Sequence, residues 1–512
     1  MTIMARVSRE YLLQIVSFAV AILDRLLIPA ILLRTIGVSG FSGWTVALAM
    51  AAFVPVLDFG LVRHFSIRLL SLRAQGREAD AINEYRQGSL LLFCVSVIAT
   101  AVLIVWLLVE PPRSGDPAVD EIMPNLLMPV IAAMLLNQAV SLRQALFRAH
   151  QQFGRETILR SAGDLLRIAV ICSAALAGVP LVTLGWLWLA SVVAGLVVPS
   201  IIDTRRRFPQ FSWRWPVFRP GEMGKAVRAS PGYWLAAMST TIFASVPLLA
   251  LGYWAAGALA VAQFGLMRTI ANLVRQVLQI FANVFGLELG RRYALHDEAG
   301  FAKVFGEANR FLGTQAAVAA VLLLVIGREF FSLWTGRDGL FDPIMLALAI
   351  IPPIILPGMI LSMEALGYAG RQWAVVRLRL VQAMVTAISI LFLPIEDLGL
   401  RMMAALALGE IVGLGVPLLW AMRGVNGRLT VMAQLSSAVW VVGALICTAL
   451  FLWPVEMIPH DQPFSRIAAA LVLSAVAFLA VTLLFGLSGE RRSMVLAQVQ
   501  RRFSRSGLPR QG

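Results

Sequence analysis

The sequence predicts an all-α polytopic membrane protein with 12–14 transmembrane helices, fourteen being favoured. Three observations predict it. Hydrophobic residues make up 59% of the 512 and charged residues 14%, whereas soluble domains carry about 45–50% apolar and about 25% charged residues. The apolar residues fall in runs of the ~20 residues that a spanning helix needs. These runs are continuous rather than alternating, which selects helices over a closed barrel. Finally, the basic residues gather in every second connection, as the positive-inside rule requires.

In chain order the expected spans are 11–33, 43–62, 88–109, 122–142, 158–178, 181–202, 231–253, 258–285, 311–332, 343–366, 374–393, 402–422, 430–453 and 465–487. The first is too long for a signal peptide and lacks an A-x-A site, so it reads as a retained helix. With the N-terminus inside, 33 of the 43 Lys and Arg fall in cytoplasmic segments and their helix ends. Six fall in external loops (Arg34, Arg113, Arg328, Arg337, Arg401, Arg466) and four within spans (Arg25, Arg167, Arg268, Arg275). The net charge of +15 therefore records topology and contact with anionic lipid head groups, and nucleic acid is excluded as a partner. Both termini are expected in the cytoplasm.

Several chemistries are missing. Cys94, Cys172 and Cys447 lie in three different spans with no CxxC pair, and read as small buried apolar residues. Lys225 follows Gly224 but precedes Ala226, so no phosphate-binding loop of the GxxxxGK[ST] type exists. His64, His150, His296 and His460 are scattered, and neither HExxH nor GxSxG occurs. No cofactor or metal is expected, and the chain does not read as an enzyme.

The chain repeats itself at an offset of 220 residues. QALFRAHQQF (144–153) aligns with EALGYAGRQW (364–373), Gly37 with Gly257, and Glu78-Ala79 with Glu298-Ala299. An even number of spans per repeat gives two halves of one orientation, related by an axis along the membrane normal. The expected division is an N-terminal six-helix bundle 1–202, a basic cytoplasmic linker 203–229, a C-terminal six-helix bundle 230–429, two additional helices 430–487 and a basic cytoplasmic tail 488–512. The linker reads as an amphipathic segment lying on the membrane.

Charges at membrane depth cost about 2.5–3.5 kcal/mol each and so point to function. Asp24 and Arg25 lie in the first span, Asp58 in the second, Asp164 and Arg167 in the fifth, Arg268 and Arg275 in the eighth, Glu364 in the tenth and Glu410 in the twelfth. In the eighth span Arg268, Asn272, Arg275, Gln276, Gln279 and Asn283 recur at steps of three and four, which places them on one helical face. Gln14, Ser17 and Asp24 form a weaker stripe in the first. Such stripes face a water-filled cavity or other helices. Arginine stays charged and offers two parallel donors, which suits phosphate. Arg25, Arg268 and Arg275 would thus form a cavity fit for a diphosphate, with Asn272, Gln276 and Gln279 beside them. The alternative is internal pairing, such as Asp24 with the neighbours of Arg25 or with Arg268.

The other membrane-depth charges have their own readings. Asp24 is the first candidate for a coupled ion or proton. Asp164 and Arg167, three apart, read as a structural ion pair. Asp58 reads as an interfacial or helix-packing residue, while Glu364 and Glu410 stay open between cavity lining and packing near a helix end. Pro352, Pro353 and Pro357 break the tenth span, which exposes backbone to a cavity or kinks the helix.

These residues carry a resemblance. LLRTIGVSGFSGWTVALAMAAFVPVLDFGLVRHFSIRLLSLRAQGR (32–77), FGLMRTIANLVRQVLQIFANVFGLELGRRYALHD (264–297) and Leu333-Trp334-Thr335-Gly336 resemble segments of the polysaccharide-repeat flippases. Those proteins belong to the multidrug/oligosaccharidyl-lipid/polysaccharide (MOP) exporter superfamily. The resemblance covers at least the first twelve spans. It implies a fold like that of multidrug and toxin extrusion (MATE) proteins, with two six-helix bundles related by a pseudo-two-fold repeat around a central cavity, working by alternating access. The implied cargo is a polyisoprenyl-diphosphate-linked oligosaccharide, flipped to the outer leaflet of the bacterial inner membrane for O-antigen, capsule or exopolysaccharide assembly. Arg268 and Arg25 fall where such flippases are thought to engage the diphosphate. Lipid II flippases of the superfamily carry an Arg-Asp pair in the first span, whereas the order here is Asp24-Arg25, which argues against that branch. Partners implied are membrane lipids and other polysaccharide-assembly membrane proteins. Three alternatives stand beside this reading: a cation-coupled multidrug antiporter, which calls for an acidic and aromatic cavity; a multi-pass polyprenyl-linked glycosyl transferase or polymerase; and a scaffold for an assembly complex.

Overall fold

The structure is a computed structural model that describes residues 3–109, 113, 116–150, 152–211, 220–254, 257–355, 358–368, 371–418 and 438–486. Among the described residues there is no strand. The helices, in order, are α1 (Ile3–Thr35), α2 (Gly37–Ala51), α3 (Leu61–Ala74), α4 (Glu78–Val109), α5 (Pro117–Ala149), α6 (Phe153–Leu176), α7 (Leu181–Val192), α8 (Val198–Arg207), α9 (Pro220–Tyr253), α10 (Ala258–Ala294), α11 (Glu298–Thr335), α12 (Pro343–Ile355), α13 (Gly358–Tyr368), α14 (Gln372–Phe392), α15 (Leu398–Leu408), α16 (Ala438–Met457) and α17 (Pro463–Val481). The expected tail 488–512, linker residues 212–219 and the first residues of the thirteenth expected span lie outside the described residues.

Among the described residues, eleven helical segments are long and apolar enough to cross a membrane. Three expected spans are helical without meeting that measure. α6 carries Arg155, Glu156, Arg160, Asp164 and Arg167, and α10 carries Arg268, Asn272, Arg275, Gln276 and Gln279. α12 and α13 share the tenth expected span, each too short alone. Polar groups on α6 and α10 must be met by neighbouring helices or water, because lipid satisfies none of them.

The 220-residue offset recurs in the backbone. α3 ends in a turn where Gly76 N–H donates to Arg73 O (3.0 Å) and Arg77 N–H to Leu72 O (3.0 Å). α10 ends the same way, with His296 N–H to Tyr293 O (3.1 Å) and Asp297 N–H to Arg292 O (3.0 Å). Both are Schellman caps with a left-handed residue after the helix. That residue is Gly76 (φ 73°) in one and His296 (φ 55°) in the other. The next helices begin at Glu78 and Glu298. Gly37 (φ 75°) and Gly257 (φ 87°) share the left-handed conformation as well.

The chain divides into two compact units. The first comprises residues 1–269 with 334–340 and 394–402, and the second comprises 270–333, 341–393 and 403–512, so that the boundary falls inside α10. In the first unit α6 lies along α1 and against a π-helical turn, Val193–Val197, that joins α7 to α8. A Cβ on Gly163 would lie 3.0 Å from Gly195 O, so two glycines let these backbones meet. Lipid supplies no hydrophobic drive between helices, and close approach at small residues takes its place. A second core cluster gathers Phe65, Leu69, Tyr85, Leu146, Phe147 and Phe208 where α3, α4 and α5 meet.

The second unit repeats the device. α15 runs into a π-helical turn, Gly409–Gly415, packed on α14. A Cβ on Gly413 would lie 2.8 Å from Gln382 Cα. α16 and α17 pack on α11 through Ala317, Val441, Ala444 and Val481 and, further along, through Ile326, Leu452, Val455 and Ala470.

Candidate functional site

In the first unit the charges of α1 and α6 meet. Arg167 Nη2 donates to Asp24 Oδ1 at 2.9 Å and lies 3.1 Å from Asp164 Oδ1. Its guanidinium sits 4.6 Å from the Trp188 ring centroid on α7. The expected Asp164–Arg167 pair is thus present, and Asp24 joins it rather than pairing with Arg268. Two carboxylates share one arginine, and Asp24 also feels the charge of Arg25. Arg25, the next residue on α1, makes no hydrogen bond or ion pair among the described residues, and it is half-buried.

Asp58 serves the backbone. Its Oδ1 accepts from Gly60 N–H at 2.7 Å and its Oδ2 from Val62 N–H at 3.1 Å, which caps the first turn of α3. Its position in Leu57-Asp58-Phe59-Gly60 suggests an interfacial or helix-packing residue, and the carboxylate instead makes a local cap. The left-handed Phe59 (φ 53°) and Gly60 (φ 78°) turn the chain between α2 and α3.

α10 presents its polar face as the spacing predicts. Arg268 and Arg275 lie seven residues apart, about 10 Å along the helix at 1.5 Å per residue. Arg268 sits 6.0 Å from the Phe264 ring centroid. Asn272, Gln276 and Gln279 are half-buried, and Gln276 Oε1 is buried without a partner. A buried polar atom left unmade costs about 1–3 kcal/mol, so this atom asks for water or a ligand. The side chains of Asn283 and Glu364 lie outside the described residues.

Arg275 is held by two partners. Its Nη1 donates to Glu410 Oε1, and its Nη2 donates to Ala349 O at 3.0 Å. The carbonyl has a clear origin. Pro353, four residues on, has no N–H, so Ala349 O loses its helical donor and is left for a side chain. Glu410 is 3% exposed and lies on the π-helical turn. Beside it, Arg379 Nη1 on α14 donates to Gln382 Oε1 at 2.8 Å. Arg379 feels the charges of both Glu410 and Arg275.

Sequence reasoning named Arg275 and Glu410 without pairing them, and it missed Arg379, Gln382 and the Ala349 carbonyl. The three prolines signalled the carbonyl. Arg379 gave no signal, because in RLRL (377–380) it reads like its neighbour Arg377 as a charge fixing topology.

No family model matches the chain, and no curated protein matches it in sequence. Solved structures do match. An inward-facing multidrug-resistance MATE-family transporter of the MOP superfamily superposes with a TM-score of 0.66 at 14% identity, over 82% of this chain and 99% of that one. The lipid II flippase MurJ in an inward closed conformation gives 0.68 at 11% identity, over 92% and 99%. A MOP superfamily transporter from Pyrococcus furiosus, described as having reversed polarity of its binding pocket, gives 0.54 at 13% identity, over 84% and 96%. The chain is therefore a multi-pass α-helical membrane protein with the fold shared by a MATE-family transporter of the MOP superfamily and the lipid II flippase MurJ.

Proposed function

We propose that the protein is a flippase that moves a polyisoprenyl-diphosphate-linked oligosaccharide from the cytoplasmic to the outer leaflet of a bacterial inner membrane. It works by alternating access, with both termini in the cytoplasm, and serves surface polysaccharide assembly. The observation that carries this reading is the basic polar face of α10. Arg268 and Arg275 stand on one helix at membrane depth, interleaved with Asn272, Gln276 and Gln279. A cation carrier would place carboxylates on such a face, whereas a diphosphate carrier places arginines there. Arg25 on α1 is offered to the same chemistry, and Asp24 is the candidate for a coupled ion or proton. An inside-negative potential favours outward movement of an anion by roughly 2.3 kcal/mol per charge per 100 mV.

The test is the sidedness of lipid-linked oligosaccharide in cells depleted of the protein and rescued with wild type or Arg268→Ala. Intermediates should accumulate facing the cytoplasm, and wild type alone should rescue. Unchanged sidedness with normal surface polysaccharide would sink the cargo assignment. A cation-coupled multidrug antiporter is the second reading, favoured by the fold shared with a multidrug-resistance transporter. It requires efflux of organic cations that Arg268→Ala does not weaken.

A further inference from the structure

Arg275 is not an empty arginine, since Glu410 already occupies it. The way Glu410 does so is unusual for a structural pair. Only Oε1 is engaged, by Arg275 Nη1, while Oε2 is buried with no partner. Arg275 Nε and Gln382 Nε2 are also buried without partners. A buried ion pair offsets its desolvation only when geometry is good and the remaining lone pairs are bonded. A locked arginine–carboxylate pair is typically a two-bond fork. Here one bond is made, and donors and an acceptor go unused within one helix cluster.

A second cation stands close by. Arg379 is held by the neutral Gln382 Oε1 at 2.8 Å and feels both Glu410 and Arg275. Gln382 is also the residue whose Cα Gly413 touches from the turn that carries Glu410. One carboxylate thus bonds one arginine through one oxygen, lies within electrostatic reach of a second, and sits on a π-helical turn, a feature frequent at functional positions. All of these groups belong to the second unit.

Building on the reading that Arg275 receives the cargo's diphosphate, we propose that Glu410 is a displaceable counter-ion that holds Arg275 while no cargo is bound and moves to Arg379 when a diphosphate arrives. The exchange never leaves the carboxylate without a cation. Before binding, Arg275 holds Glu410 and Arg379 rests on Gln382; after it, Arg275 holds phosphate and Arg379 holds Glu410. A carboxylate released without an acceptor would be a buried unpaired charge, which costs several kcal/mol. Arg379 removes that cost.

Selectivity follows from the competition. A phosphodiester head group carries one negative charge, as Glu410 does, and gains little by displacing it. A diphosphate carries more charge and more acceptor oxygens, and displaces it. Glu410 therefore screens Arg275 from the anionic phospholipids of the surrounding bilayer.

The experiment measures binding of farnesyl diphosphate, and separately of phosphatidylglycerol, to the purified full-length protein in neutral detergent. Arg275→Gln should abolish farnesyl diphosphate binding, which tests the underlying reading. Glu410→Gln should bind farnesyl diphosphate about tenfold tighter and lose discrimination against phosphatidylglycerol. Arg379→Gln should bind about tenfold weaker, Arg379→Lys should recover most of the loss, and the Arg379→Gln effect should vanish in the Glu410→Gln background. If Glu410→Gln proves too unstable to purify, the Arg379→Gln and Arg379→Lys pair still decides. Glu410 is a static partner if its removal leaves affinity unchanged or weaker while Arg275→Gln abolishes binding, or if Arg379→Gln is silent or not rescued by lysine. If the wild type binds no farnesyl diphosphate, the cargo reading falls, and this proposal with it.

Discussion

Replacing Arg466 by methionine should cost the protein about 3–4 kcal/mol of stability. Arg466, on α17, is 1% exposed. Its Nη1 donates to Ile458 O at 2.8 Å and Val455 O at 3.2 Å, and its Nη2 reaches Glu456 Oε2 at 3.5 Å. Its Nε lies 2.9 Å from Glu329 Oε1, in ion-pair range though not aligned as a hydrogen bond. Glu329, on α11, is itself 5% exposed. Removing one partner of a buried pair costs about 3–5 kcal/mol, because the other charge stays behind. His460 Nδ1, 2.8 Å from Glu329 Oε1 and largely exposed, keeps one contact, which sets the lower end of that range. The two freed carbonyls add a fraction of about 1 kcal/mol each. Replacing both charges, in Glu329→Leu/Arg466→Met, should restore stability to within about 1–2 kcal/mol of wild type, since apolar side chains of similar volume need no pairing. The assay is thermal unfolding in one fixed detergent, with hydrogen exchange over residues 455–470 to locate the loosening. The reasoning fails if Arg466→Met costs under about 1 kcal/mol, or if the double variant is less stable than the single one.

Three further outcomes are expected. His296→Gly should stabilise by about 0.5–1 kcal/mol, since relief of a left-handed residue worth ~1–2 kcal/mol outweighs the chain entropy of glycine, ~0.4–1 kcal/mol; no gain in thermal midpoint would contradict it. Gly413→Ala should destabilise by about 1–3 kcal/mol by forcing α14 away from a Cβ 2.8 Å from Gln382 Cα, and an unchanged midpoint would show that the helices part freely. His64 is held below its ordinary 6.5 by burial first and by the charge of Arg68 second. The folded state therefore takes up its proton less readily than the unfolded one, so the stability this neutral ring contributes is present above about pH 6.5 and is lost as pH falls from there towards the folded value. The thermal midpoint should drop between pH 7.5 and 5.5, and His64→Gln should flatten that drop.

The helices were legible because lipid allows one local solution to a long apolar run. Even the repeat could be read, since a Schellman turn demands a left-handed residue and a new helix start at fixed distances, and Gly76 with Glu78 matches His296 with Glu298. The stripe on α10 followed from helical period alone. Pairing was not legible. Arg167 finds Asp24 across 143 residues and Arg275 finds Glu410 across 135, and a local pattern holds no information at that range. Arg466 misled for a different reason. It was counted among external-loop arginines, yet the carbonyls of Val455 and Ile458 draw it inside, and burial of that kind leaves no mark on composition. Arg379 likewise reads as topological, and only the close approach of Gln382 on the same helix to a glycine-bearing turn sets it within electrostatic reach of Glu410.

The interleaving of the two units has a consequence for the chain as a piece of heredity. Residues 334–340 and 394–402 come from the second repeat and yet belong to the first unit. There Trp334 Nε1 donates to Leu26 O at 2.7 Å, and Arg337 Nε to Leu33 O at 3.2 Å. A gene fragment ending before residue 334 would therefore encode a polypeptide lacking pieces of its own first unit. Separately expressed halves would have to trade segments to become whole, and neither could drift, be lost or be exchanged for a cousin's half without the other answering for it.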